Sequence, residues 1–177
     1  MVKKIGKFFA YLLFFLGALL YFMPKESLYF LGEKELQKYH VVIAHESVKD
    51  RGFSLALRHL DLYVESIQSA TIERVDIALF AFYNEIEADN IHLSSALASM
   101  LPTKIENVDI KYSVLNPLNV TFTAVGDFGR VQGVANIKER KIIAFLKPSS
   151  LMLRNYRATL RNFKKQSNGE YKYVQSF

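Results

Sequence analysis

The chain has 177 residues, with 23 Lys+Arg against 17 Asp+Glu, 50% apolar content, 14 Phe, 10 Tyr and neither Cys nor Trp. It is too short for two ordinary domains and too apolar for disorder, and it excludes a disulfide framework or a Cys-ligated metal site.

Between Lys7 and Lys25 every residue is uncharged, and Phe, Leu, Tyr and Ala dominate. A spanning helix needs about 17–25 apolar residues, so residues 5–23 are predicted as a transmembrane anchor. Lys3, Lys4 and Lys7 precede it. The positive-inside preference then leaves residues 1–4 in the cytoplasm and sends the rest across. A cleaved signal would show small side chains before the cut, whereas Tyr21, Phe22 and Met23 are bulky, which favours an uncleaved anchor.

Pro24 and Lys25 mark the membrane exit. Leu28, Leu31, Leu36 and Tyr39 recur at helical spacing, predicting a membrane-proximal helix over about 26–39 within a segment 24–40. The period then changes to two, opening a β-rich domain over 41–177. Phe53, Leu55 and Leu57 alternate with polar or small residues, and Leu60, Leu62 and Val64 do the same in the other phase. Similar runs follow around 75–79, 86–93, 108–114, 120–125, 130–137 and 141–146, with turns at Asn116-Pro117, Gly126-Asp127 and Glu139-Arg140. About eight strands with short turns predict a twisted antiparallel sheet, as a half-barrel or sandwich. Within it, Ile72-Glu73-Arg74-Val75-Asp76-Ile77 matches Ile105-Glu106-Asn107-Val108-Asp109-Ile110.

Ser94–Leu101 predicts a short helix stopped by Pro102, and Ser149–Lys165 a longer amphipathic one. On the latter, Met152, Leu153, Tyr156, Leu160 and Phe163 share one face, and Arg154, Arg157, Arg161, Lys164 and Lys165 the other. The basic face suits anionic lipid headgroups or an acidic partner; equally, it is the solvated side of a helix packed on the sheet. Export argues against nucleic acid. The charge is polarised: ten Lys/Arg against two Asp/Glu in residues 138–177, ten against fifteen in residues 25–137.

No catalytic, cofactor or metal site is predicted. His40, His45, His59 and His92 show no metal-ligand spacing. Only clustering of His45, His59 or His92 with carboxylates in a cleft would point to an enzyme. A sheet with one apolar face near a membrane offers a groove for an acyl chain, with Phe53, Ile77, Phe82, Ile110 and Phe122 as its candidate lining.

The order of parts is a basic start, one span, Pro-Lys-Glu-Ser-Leu-Tyr-Phe-Leu with its helix, and then repeated Ile-x-x-Val-Asp-Ile strands. With Leu115-Asn116-Pro117-Leu118-Asn119-Val120 and Gly126-Asp127-Phe128-Gly129, it resembles the type II secretion system protein N (GspN) family, related to AsmA-like and LptC-like anchored envelope proteins. The resemblance implies a single-pass protein of the bacterial inner membrane with a periplasmic domain, an accessory part of an envelope-spanning secretion system with envelope-protein partners and no catalytic residues. The alternative expectation is a lipid-binding or lipid-transfer module that holds phospholipid.

Overall fold

The apolar N-terminal run forms α1, Val2–Tyr21. The computed structural model describes residues 2–80 and 82–177; Met1, in the predicted cytoplasmic segment, lies outside them. α1 is long and apolar enough to cross a membrane, and none of the residues of its Lys4–Tyr21 stretch is buried, although Tyr21 at its end touches the sheet. It ends two residues earlier than predicted. Pro24 disfavours helical geometry at the residue before it, and the chain bends there before entering α2, Lys25–Gln37.

Eleven strands follow in one open sheet: β1 (Val41–Ala44), β2 (Ser47–Asp50), β3 (Ser54–Val64), β4 (Ile67–Leu79), β5 (Tyr83–Leu93), β6 (Lys104–Ser113), β7 (Asn119–Gly126), β8 (Gly129–Asn136) and β9 (Lys141–Pro148), then β10 (Lys164–Lys165) and β11 (Tyr171–Ser176). The order is β1-β3-β4-β5-β6-β7-β8-β9-β11-β10, with β2 pairing β3 beside β1, and the pairs are antiparallel. The sandwich expectation is thereby corrected, because no second sheet exists among the described residues. β1, β2 and β10 escaped the sequence reading because two to four residues carry too little alternation to register.

Two predicted helices are also corrected. Ser94–Leu101 holds only a 3₁₀ turn at Ser95–Leu97. The stretch 149–165 breaks at Tyr156 into α3 (Ser150–Asn155) and α4 (Arg157–Leu160), and Lys164–Lys165 is strand. Met152 and Leu160, on either side of the break, still share one cluster with Phe128 and Leu146. Ser149 caps α3 by accepting from the Met152 N–H at 3.1 Å.

The register defines two faces. Leu55, Ile77, Ile86, Ile110, Phe122, Gly133, Ala144 and Tyr173 form one row across eight strands, and Leu57, Val75, Ala88, Val108, Ala124, Val131, Leu146 and Tyr171 form the next row on that same face. This inner face is apolar. α2 covers it over β3 and β4, around the cluster Leu55, Leu57, Leu60 and Val75, and α3–α4 cover it at the other end. Between these covers, β5 to β7 present Ile86, Ile110 and Phe122. The outer face is polar: Asp76, Glu87 and Asp109 stand side by side on β4, β5 and β6. Arg74 pairs with Asp76, and Lys111 with Asp109 and, at 3.2 Å, with Glu85. Hydrogen bonding to Asp109 and then Glu85 pushes the Lys111 ammonium up, as bonding to Asp76 does the Arg74 guanidinium.

A line of irregularity crosses four strands. Leu57, Val75, Ala88 and Val108 point inward, and so do Leu60, Ile72, Ile91 and Ile105, three residues away instead of two. One residue per strand, His59, Glu73, Asn90 and Glu106, therefore drops out of the ladder. His59 and Asn90 take left-handed backbone angles, φ 54° and 52°, and the Asn90 amide donates to Glu73 at 2.8 Å. The line ends at β7, where Glu106 and Asn107 face the single residue Val125 as a β-bulge.

Candidate functional site

Because α2 lies over the sheet with Gly32 and mostly medium-sized side chains facing inward, it does not fill the space beneath it. A cavity of about 620 Å³ is left. Leu28, Tyr29, Gly32 and Leu36 of α2 form its roof; Leu55, Leu57, Leu60, Val75, Ile77 and Ile86 form most of its floor. Lys25 and Glu33 are the charged residues on its lining. The Tyr29 hydroxyl donates to Glu46 at 3.3 Å. Burial pushes the Tyr29 phenol far above its ordinary range, and the charges of Glu46 and Glu33 add to that.

Lys25 joins this site to the anchor. It is fully buried, and its ammonium donates to the carbonyls of Leu20 at 3.0 Å and of Tyr21 and Met23 at 3.3 Å, with Asp50 at 3.8 Å. A cation here satisfies carbonyls that the end of α1 leaves free and complements its dipole. Lys25→Met is expected to cost about 2–3 kcal/mol, since a buried set of charge-assisted bonds is lost. Limited proteolysis of the full chain should then cut the Phe22–Pro24 bend severalfold faster than in wild type.

The predicted groove residues divide. Ile77 lines the cavity, and Ile110 and Phe122 continue its row along the uncovered middle of the inner face. Phe122 has room there because Gly133 opposes it: a Cβ at Gly133 would meet the ring at 2.3 Å. Phe53 and Phe82 lie elsewhere, which corrects that part of the prediction. Phe53 packs on Tyr21 at 5.4 Å and stacks on Phe80 at 6.1 Å, at the end of the sheet next to α1. Phe82 sits in the β4–β5 turn, 69% exposed. The sequence reading missed the roof. Its Leu28 and Leu36 do line the cavity, but Leu31 and Tyr39 are exposed, while Tyr29 and Gly32 face inward.

The five basic residues do not share a helix face. Arg154 and Arg157 turn back to the carbonyls of Ser150 and Leu153, at 3.3 and 3.1 Å; Arg161 follows α4, and Lys164 and Lys165 form β10. Their single-surface reading is corrected by the break at Tyr156.

The histidine test gives a mixed outcome. His45, His59 and His92 do line one depression of about 340 Å³ with Asp61 and Glu73, and His45 Nδ1 lies 2.9 Å from an Asp61 oxygen. His45 is 71% exposed at its side chain, and among the described residues no three such groups converge to hold a metal ion. The depression lies where the line of dropped-out residues passes, which accounts for the meeting of His59 and Glu73.

Comparison with protein-family models, curated proteins and solved structures found no match to this chain.

Proposed function

We propose that the protein is a single-pass, membrane-anchored lipid-binding module that shelters an acyl chain between α2 and the inner face of the sheet. The observation that carries this reading is the cavity, about 620 Å³ and walled by aliphatic side chains. Its size falls in the range of small-ligand sites, about 300–1,000 Å³. Each methylene buried there contributes about 0.8 kcal/mol, so a chain of modest length is held without a charged anchor point. The floor continues through Ile110 and Phe122, giving a longer chain somewhere to run. Lys3, Lys4 and Lys7 at the start of α1 favour a periplasmic domain on an inner membrane under the positive-inside preference.

Gly32 offers a direct test. It lines the cavity, and a Cβ built on it meets nothing within 4 Å. Gly32→Leu therefore directs a side chain into the open cavity and removes a poor helix former, a gain of about 0.5–1 kcal/mol. Native mass spectrometry of the full chain released from mild detergent is expected to show bound phospholipid in the wild type. Gly32→Leu should lose most of that lipid while melting at the same temperature or higher. An empty wild-type protein, or equal lipid on both, overturns the reading.

A second reading is the accessory role in an envelope-spanning secretion machine. It is favoured by the edge of β11, where Tyr173–Ser176 pair with β9 on one side and, among the described residues, with no strand on the other. Such an edge accepts a partner's strand.

A further inference from the structure

We propose that one rim of the sheet lies in the membrane interface beside α1, with the tips Phe82, Leu115, Ile137 and Phe177 among the lipid headgroups and upper acyl chains. The inference rests on α1 spanning a bilayer.

Antiparallel pairing puts the start of β3, the β4–β5, β6–β7 and β8–β9 turns and the C-terminus at one end of the sheet. α1 ends at this rim. Tyr21 packs on Phe53, and Gly52 lies so close that a Cβ there would fall 2.3 Å from the Tyr21 ring. Phe53 stacks on Phe80, which begins the next turn. From there each turn is tied to its neighbour: the Val114 N–H donates to Phe82 O at 3.1 Å, Ile137 N–H to Leu118 O at 2.8 Å and Phe177 N–H to Arg140 O at 3.0 Å. The turns thus form one continuous ledge from the end of α1 to the C-terminus. At about 4.8 Å per strand it runs roughly 30 Å.

Its tips are apolar, where turns are ordinarily polar. Leu115 is 92% exposed, and Phe82, Ile137 and Phe177 are exposed as well. Among the described residues no helix or strand covers them. The β8–β9 turn adds Lys138 and Arg140, with Lys141 beside it, against Glu139. Apolar tips flanked by cations match a bilayer surface carrying anionic headgroups. The other rim differs. Phe128, the aromatic residue in its strand-to-strand turns, is buried in the core, and the exposed apolar side chains there, Tyr39, Val64, Ile67, Met100 and Leu153, are scattered over separate segments. The cavity floor reaches the membrane-side rim at Leu79, the last residue of β4. A docked rim would bring the lipid site against the leaflet that supplies it.

The chain has no Cys, so single-cysteine variants take one dye each. Phe82→Cys, Leu115→Cys, Ser167→Cys on the far rim and Leu13→Cys in α1 would be labelled with an environment-sensitive fluorophore. Each full-length protein would be placed in phosphatidylethanolamine–phosphatidylglycerol vesicles, with and without lipids brominated on the upper acyl chain. The expected result is a blue shift and loss of most emission at Leu13→Cys, Phe82→Cys and Leu115→Cys, with Ser167→Cys unquenched. Rim dyes that behave like Ser167→Cys while Leu13→Cys is quenched overturn the docking and leave the anchor standing. An unquenched Leu13→Cys overturns the anchor, and the docking with it.

Discussion

Deleting His59 is expected to leave the domain folded but less stable by about 0.5–3 kcal/mol, whereas His59→Gly should melt close to the wild type. His59 is the residue that drops out of the ladder in β3, so that Leu57 on one side and Leu60 on the other both face the cavity. Without it, strict alternation through Leu57, Arg58, Leu60, Asp61 and Leu62 keeps the three leucines on the inner face and Asp61 on the outer one. The loss falls on the pairing: Glu73 of β4 no longer has a residue opposite it and becomes a one-sided bulge, as Glu106 already is against β7. His59→Gly removes the same side chain but keeps the residue count, and glycine accepts φ 54° readily. Far-ultraviolet circular dichroism and a thermal melt of the full chain in detergent separate the two. Loss of the strand signal or of a cooperative melt in the deletion would refute the role given to His59.

Gly129→Ala is expected to destabilise by about 3–5 kcal/mol, through backbone strain and overpacking together. Gly129 has φ +111°, and a Cβ there would lie 2.2 Å from the Lys147 carbonyl oxygen and 2.7 Å from Ser149 N. Neither neighbour can move freely. Lys147 is in β9, and the Ser149 N–H donates to Phe128 O at 2.9 Å while the Ser149 hydroxyl donates to Asp127 O at 2.5 Å. Ser149 also caps α3, so yielding to the new methyl would disturb the cluster of Phe128, Leu146 and Met152. Gly169→Ala is the control. Its φ is +85°, but nothing lies within 4 Å, so only the backbone penalty of about 1 kcal/mol applies. Denaturant midpoints for the two variants should differ clearly; equal midpoints would remove the clash from the account.

Seven of the longer strands and the membrane-proximal helix were legible in the sequence, because eight or more alternating residues, or three helical turns, repeat their signal often enough to be read. The line of dropped-out residues was legible too, in a form not read as such. Leu55 and Leu57 alternate in one phase and Leu60 and Leu62 in the other, and this change of phase lies inside one strand. The repeated Ile-x-x-Val-Asp-Ile carries the same feature, since two residues separate Ile72 from Val75, and Ile105 from Val108, where strict alternation has one. The cavity was less visible. Its floor follows from alternation, but its emptiness depends on how far α2 stands from the sheet, which no local pattern in 25–37 records. Phe53 and Phe82 were placed in the groove because large apolar residues ordinarily turn inward. At a rim beside an apolar helix that expectation inverts.

The extra residue in β3, β4, β5 and β6 makes these four strands depend on one another in inheritance. A strand placed among them keeps its neighbours' inward residues matched by carrying its own extra residue at the same height or a bulge there. β7 carries none, because the bulge at Glu106 and Asn107 absorbs the offset. Beyond it the ladder is regular from β7 through β8, β9 and β11. On the β11 side an added alternating strand would meet a regular ladder, while beneath α2 it would need a matching extra residue or a bulge like the one at Glu106 and Asn107.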